Sequence, residues 1–288
     1  MEKSYNPLFE GADPFLLTYE GKYYIYATNS QDGFRVYVSD DLIEWQDRGY
    51  CLKKGDVMGE DRFWAPEIIV RNGKFYMVYA SEEHLAIATS DSPLGPFTQR
   101  EKKWLIAGKA IDGHFFLDDD GTLWLYYVRI QGENLIYVAK LNDDVSILQE
   151  KDEKLLLRAE KDWELKKGLV AEGPFVLKHK GKYYLSYSAN DTRSIYYAIG
   201  YAVSDCPDGP FVKYEGNPIL HMTDQVNGVG HHSFAKSIDG KELLCAYHCH
   251  YSKEQNYPRK VCVDRAGFVT NESGDDILVI YGPTVSNR

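Results

Sequence analysis

The sequence repeats one plan five times: a short strand, a tight turn ending in glycine, then a strand with alternating aromatic residues. The copies are DPFLLTYEGKYYIYAT, APEIIVRNGKFYMVYA, DGHFFLDDDGTLWLYY, EGPFVLKHKGKYYLSYS and HHSFAKSIDGKELLCAY. Their turn glycines, Gly21, Gly73, Gly121, Gly181 and Gly240, lie 52, 48, 60 and 59 residues apart. Periods of about 40 to 50 residues are typical of a four-stranded propeller blade. A third strand follows in four copies (FRVYVSDD, LAIATSDS, IYVAKLND, IGYAVSDC), and a short closing strand in three (IEWQDRG, GPFTQR, GPFVKY). The recurring Ser-Asp suits a turn, because both side chains bond nearby backbone groups. Glycine in the hairpin turns supplies positive φ at little cost. No window sustains an apolar period of 3.6; the nearest, LRAEKDWELKKG at 157–168, reads as an exposed connector. The expected fold is an all-β, single-domain, five-bladed β-propeller over residues 1–288, with blades starting near 13, 67, 112, 172 and 231. A sandwich of unrelated hairpins would not explain the even spacing.

Composition narrows the class of partner. A net charge of −10 disfavours a phosphate backbone, whose binding rests on clustered Lys and Arg. The 23 tyrosines favour pleated surfaces and ligand-stacking clefts over helical bundles. The start, MEKSYNPLFEGADPF, lacks a basic region followed by an apolar stretch, so a cytoplasmic location is expected. Cys51, Cys206, Cys245, Cys249 and Cys262 form no CxxC pair and are odd in number, so reduced thiols are expected.

Lined up on the turn glycines, Asp13, Glu67, Asp112, Glu172 and the pair His231 and His232 all fall 6 to 9 residues upstream. In a propeller the first strand of each blade lines the central axis, so these groups converge on one mouth. Crowded carboxylates cannot all ionise cheaply, and at least one pKa rises. That arrangement suits glycoside hydrolysis, which needs one acid for the leaving oxygen and one carboxylate opposite it. Any one such residue beside Pro or Gly also reads as a turn or cap residue. Glu67, with the odd offset, is read as structural. His248 and His250 share one face of a strand, but neither HExxH nor a finger-type Cys pair accompanies them, so core or cleft-lining roles are expected over zinc.

At these residues the chain resembles glycoside hydrolase family 43, five-bladed propeller enzymes that remove or cleave pentose units of plant polysaccharides with inversion. The resemblance runs from GADPF to about RKVCVDR. It implies a general base at Asp13 (Ala-Asp-Pro), a tuning aspartate at Asp112 (Ile-Asp-Gly where the family often has Ile-Asp-Pro) and a general acid at Glu172 (Glu-Gly-Pro). Trp64 of WAPE and Arg259 of YPRKVCVDR would line the sugar pocket, with Phe15 and His232 completing the substrate-binding set. The motif GVGHHS implies that His231 faces a hydrated calcium ion in the axial channel. Gly113, in place of proline, is expected to loosen its loop slightly.

The resemblance implies a hemicellulose-derived oligosaccharide as substrate. The absence of a leader favours an exo-acting enzyme, and the chain's end soon after the fifth repeat favours an α-L-arabinofuranosidase. The alternatives are a β-1,4-xylosidase, an endo-arabinanase and a non-catalytic carbohydrate-binding propeller. A retaining fructosidase is disfavoured, because GADPF and AIDGHF replace its Asn-Asp-Pro-Asn and Arg-Asp-Pro.

Overall fold

The structure, a computed structural model, describes residues 5–146 and 152–286, and among them there is no α-helix. Strand β1 (Phe9–Glu10) precedes the first blade, which holds β2 (Ala12–Tyr19), β3 (Lys22–Thr28), β4 (Gly33–Ser39) and β5 (Gln46–Lys53). The second has three strands, β6 (Trp64–Arg71), β7 (Lys74–Ser81) and β8 (His84–Ser90); GPFTQR closes it only through a bridge from Thr89 to Thr98. The third is β9 (Ala110–Leu117), β10 (Leu123–Ile130), β11 (Asn134–Leu141) and β12 (Lys154–Leu157). The fourth is β13 (Ala171–His179), β14 (Lys182–Ala189), β15 (Ala198–Ser204) and β16 (Val212–Lys213). The fifth joins β17 (Gly230–Lys236), β18 (Leu243–Cys249), β19 (Lys260–Thr270) and β20 (Asp276–Ile280).

Strand β1 pairs with β19, so the N-terminal segment completes the last blade and closes the ring. The first strands β2, β6, β9, β13 and β17 pack each against the next, and β17 against β2. The serines that end the third strands make the expected turns: Ser39, Ser90 and Ser204 hydroxyls accept from the N–H groups of Asp41, Ser92 and Cys206.

Tyrosine serves the core more than the cleft. The second strand of every blade buries one, Tyr26, Tyr79, Tyr127, Tyr187 and Tyr247, each 0% exposed. Burial of a hydroxyl is tolerable only with a partner. Tyr26 donates to Pro93 O (2.6 Å), Tyr79 to Met58 O (2.7 Å) and Tyr247 to Asp264 (2.6 Å), while Tyr127 and Tyr187 donate to Glu153 and Glu164.

The segment 157–168 is exposed over most of its length, as its charge suggests, but it is pinned to the blade at Leu157, Ala159 and Glu164. Glu164 is fully buried, accepts the N–H groups of Glu160 and Lys161 (2.6 and 2.8 Å) and pairs with Lys213 at 2.7 Å. Trp163 lies on Gly200, where an added Cβ would come within 2.6 Å of its ring. The segment is a strap anchored by one buried ion pair.

Candidate active site

The first strand of every blade carries a β-bulge at the same height, between Ala12 and Phe15, Trp64 and Glu67, Ile111 and His114, Glu172 and Phe175, and Gly230 and Ser233. Each bulge holds one residue in the left-handed region: Asp13 (φ 50), Ala65 (φ 47), Asp112 (φ 56), Gly173 (φ 55) and His231 (φ 45). A non-glycine residue there costs about 1–3 kcal/mol, and such strain collects where a side chain must be re-aimed.

Counting from the turn glycines therefore misaligns the blades. Blades one, two and four turn on two residues with positive φ, Glu20–Gly21, Asn72–Gly73 and Lys180–Gly181. The hairpins of blades three and five are longer. Matched at the bulge, Asp13, Asp112 and His231 are equivalent, Glu172 lies one residue before the matching position, and Glu67 two after.

Asp13, Asp112 and Glu172 open on one cleft of about 1120 Å³, together with Trp64, His231 and Arg259. Arg259 lies deep in the site, its side chain 12% exposed, and donates to Asp13 Oδ1 at 2.8 Å. Its Nε is buried with no partner in the structure. Trp64 forms part of the wall, with the Arg62 guanidinium 5.9 Å from its ring centroid.

Burial pushes the Asp13 carboxyl up, but the Arg259 guanidinium, with His231 and His248 beside it, outweighs burial and holds the group well below the ordinary carboxylate range. Burial pushes the Glu172 carboxyl up to about 7; the charge of Asp13 adds to this, and hydrogen bonds from Tyr197 and Asn134 oppose it. Burial, then the charges of Glu172 and Asp13, push Asp112 well above its ordinary value. Asp112 and Glu172 thus titrate as a pair. Asp112 and Glu172 are thus pushed toward their protonated forms while Asp13 is pushed toward its ionised one, a separation of roles that acid–base chemistry requires. Asp112 also accepts the Gly173 N–H at 3.0 Å, fixing the peptide that follows Glu172.

Two residues expected in the sugar pocket lie elsewhere. Phe15 and His232 line a small channel beneath the cleft, not the cleft itself. Phe15 is 9% exposed and belongs to the core. His232 faces Ser186 Oγ through Nε2 at 2.7 Å. Because that hydroxyl donates to Phe175 O (2.9 Å), it accepts from His232, which leaves Nδ1 as a lone-pair atom, buried and without a partner.

His231, expected to face the channel ion, lines both the channel and the cleft, with Nδ1 3.4 Å from Asp13 and 3.9 Å from Asp112. The channel, about 20 Å³, has room for one water. Burial holds the His232 imidazole down at about 3, so its free nitrogen is neutral and able to bind a cation. A single nitrogen fits an ion held mainly through water, as calcium can be.

Glu67 has a different task. It accepts from His114 Nδ1 (2.6 Å) and Phe115 N (2.9 Å), and His114 Nε2 accepts from Val176 N (3.0 Å), so three blades are braced in a row. Gly113 does not loosen its loop, because a Cβ there would come within 2.6 Å of Val78 Cγ2. The space is filled from the neighbouring blade.

The tertiary structure adds Asn134, Tyr197 and Thr192 to the site and brings His248 and His250, expected as core or cleft-lining residues, in behind them. Asn134 donates to Glu172 Oε2 and Tyr197 to Oε1, both at 2.8 Å. His248 Nδ1 accepts the Asp13 N–H at 3.2 Å, and Thr192 Oγ1 lies 3.3 Å from Arg259 Nη1. His250 Nε2 holds Thr192 O at 2.8 Å. The glycines of GVGHHS admit these rings: a Cβ at Gly228 would strike His250 at 2.0 Å, and one at Gly230 would strike Tyr197 at 2.3 Å. That motif was legible in the sequence; what fills the space beside it was not.

The profile of Glycosyl hydrolases family 43 matches residues 5–272. A β-D-galactofuranosidase of Aspergillus niger is 30% identical over 305 aligned residues, taking in 96% of this chain and 85% of that protein. A β-xylosidase of Xylanibacter ruminicola is 27% identical, over 88% of this chain and 92% of that protein. Among solved structures, an endo-1,4-β-xylanase of Bacteroides thetaiotaomicron superposes with a TM-score of 0.90 at 39% identity, covering 96% of each chain. With that profile spanning nearly the whole of a five-bladed propeller, the chain belongs to glycosyl hydrolases family 43.

Proposed function

We propose that the protein is an inverting, exo-acting glycoside hydrolase that releases terminal α-L-arabinofuranose from hemicellulose-derived oligosaccharides. The observation that carries the mechanism is the opposed charge state of two carboxyl groups in one cleft, Asp13 held ionised by Arg259 and Glu172 raised to about 7. Asp13 takes a proton from the water that attacks the anomeric carbon. Glu172 gives its proton to the departing glycosidic oxygen. Asp112 orients Glu172 through the Gly173 N–H. Inversion needs a water between base and sugar, hence carboxyl groups roughly 6.5–9.5 Å apart.

Support for a furanose comes from ring chemistry. The Aspergillus niger relative is named for galactofuranose, and β-D-galactofuranose shares its ring configuration with α-L-arabinofuranose. The relative named β-xylosidase supports a second reading, xylose removed from chain ends. Trp64 would offer the sugar an apolar face and Arg259 Nε an unspent donor. For the channel, the proposal keeps calcium beside His231 and adds His232 Nδ1 as a second nitrogen lining it; bound there, the ion would supply positive charge beneath the carboxylates.

Proton NMR of arabinoxylan oligosaccharides and unbranched xylooligosaccharides under digestion tests this reading. Arabinose appearing first as its β-anomer supports it. Xylose appearing as the α-anomer moves the substrate but keeps the mechanism, and a first product of retained configuration overturns the roles of Asp13 and Glu172.

A further inference from the structure

Base and acid come from different blades, Asp13 from the first and Glu172 from the fourth, and a mismatch of about 1 Å can cost a hundredfold in rate. Two buried rings link them. The Tyr197 hydroxyl donates to Glu172 Oε1 at 2.8 Å. The His248 Nδ1 accepts the backbone N–H of Asp13 at 3.2 Å. The rings stack on each other, centroids 5.5 Å apart and planes 9° from parallel. Both residues are 0% exposed.

We propose that Tyr197 and His248 act as one positioning strut, setting the gap between Asp13 and Glu172. The inference rests on the roles given to those carboxylates above. Its parts suit the task, because each ring has few rotamers and the polar atoms of both face the catalytic machinery: the Tyr197 hydroxyl meets Glu172, and His248 Nδ1 meets the N–H and the carboxylate of Asp13 at 3.2 and 3.3 Å. On the far side of the ring Nε2 lies 3.4 Å from both Thr192 Oγ1 and Arg259 Nη1, so the imidazole is held from both edges. Gly230 completes the fit: its missing side chain is the space the Tyr197 ring occupies. The strut thus joins blades four, five and one across the mouth. A purely packing role would need the rings but not the hydroxyl or the imidazole nitrogen.

Three variants of the full-length protein separate these cases: Tyr197→Phe, His248→Phe and His248→Asn. The readouts are kcat on pentosides with good and poor leaving groups, and the 13C titration of the Glu172 carboxyl, assigned with Glu172→Gln. The other groups facing that carboxyl, Asp13, Asp112, Arg259 and Asn134, stay unchanged in all three. Tyr197→Phe keeps the ring and removes a donor to the ionised acid, so the Glu172 titration should rise by about one pH unit. The alkaline limb of the rate profile should rise with it, and kcat on the poor leaving group should fall about tenfold. His248→Phe keeps the stack but orphans the Asp13 N–H. His248→Asn returns an acceptor near the place of Nδ1, and should recover most of the kcat lost in His248→Phe.

An unmoved Glu172 titration in Tyr197→Phe, or His248→Asn no better than His248→Phe, overturns the strut. The two proposals fail separately. A protein inert on every pentoside but with a shifted Glu172 titration sinks the proposed substrate and keeps the strut; an active protein with an unshifted titration does the reverse.

Discussion

Arg259 and Asp13 form an ion pair across the closing seam of the propeller, Nη1 to Oδ1 at 2.8 Å, with side chains 12% and 7% exposed. The arginine arrives just before β19 of the last blade and the aspartate on β2 of the first. Ring closure and ionisation of the base are thus joined in one contact. Arg259→Leu removes the largest of the groups that oppose burial at Asp13, leaving only His231 and His248, so the acid limb of the kcat/KM profile should move up by roughly 1–3 pH units. A limb that stays in place would show that Arg259 does not keep the base ionised.

The alkaline limb should belong to Glu172. The group must carry its proton, so activity should fall as pH rises through about 7. Glu172→Gln should lower kcat on a poor leaving group by about 10²–10⁴-fold while preserving the fold. A variant with near wild-type rates at every pH removes Glu172 from its role.

The same residue costs stability. Its folded pKa, about 7, lies above the value of an unfolded glutamate, about 4.3, so the folded protein binds the proton more tightly. Its contribution to stability therefore falls as pH rises from about 4.3 to about 7 and is flat above. Thermal melts should show Glu172→Gln gaining on the wild type across that window and holding its advantage beyond it. A difference independent of pH would deny the raised pKa.

Gly230 has no side chain because Tyr197 fills the place of one. Gly230→Ala puts a Cβ 2.3 Å from the Tyr197 ring, a fully buried side chain held by its bond to Glu172. Stability should drop by about 1–3 kcal/mol, the usual range for overpacking. Pairing it with Tyr197→Leu should recover melting temperature but not activity. Recovery of both would sever Tyr197 from the chemistry.

The strap over blade four should depend on one pair. Lys213→Met leaves the Glu164 carboxylate, 0% exposed, without its cation, a change that costs about 3–5 kcal/mol in buried pairs. Urea melts should register that loss with kcat unaltered, since neither residue lines the cleft. A variant as stable as the wild type would show that the hydrogen bonds from Tyr187, Glu160 and Lys161 carry the strap alone.

Much of the architecture was legible because its cause is local. Paired left-handed residues at Glu20–Gly21, Asn72–Gly73 and Lys180–Gly181 follow from short-range backbone sterics, and so do the serine turns after the third strands. Five such hairpins at near-even spacing leave few closed solutions. The carboxylates could be found for the same reason, since each sits a countable distance from a turn. Glu67, set apart by its offset, has the structural role expected of it. The longer hairpins of blades three and five shift the count by a residue, and a slip of one residue turns a side chain to the other face. His231 lines the channel as expected and also reaches toward Asp13, while His232, expected in the sugar pocket, lines the channel alone.

The amino-acid sequence by itself determined the repeat, the number of blades and the acids at their mouths, because strand, turn and alternation are written within a few neighbouring residues. Only the tertiary structure decided which acid keeps its proton and which neighbours hold it. Arg259 reaches Asp13 from 246 residues away, and His248 from 235. Tyr197 meets His248 only because Gly230 leaves its ring room. Those choices depend on burial and on charge at a few ångströms, quantities that exist only after the ring has closed.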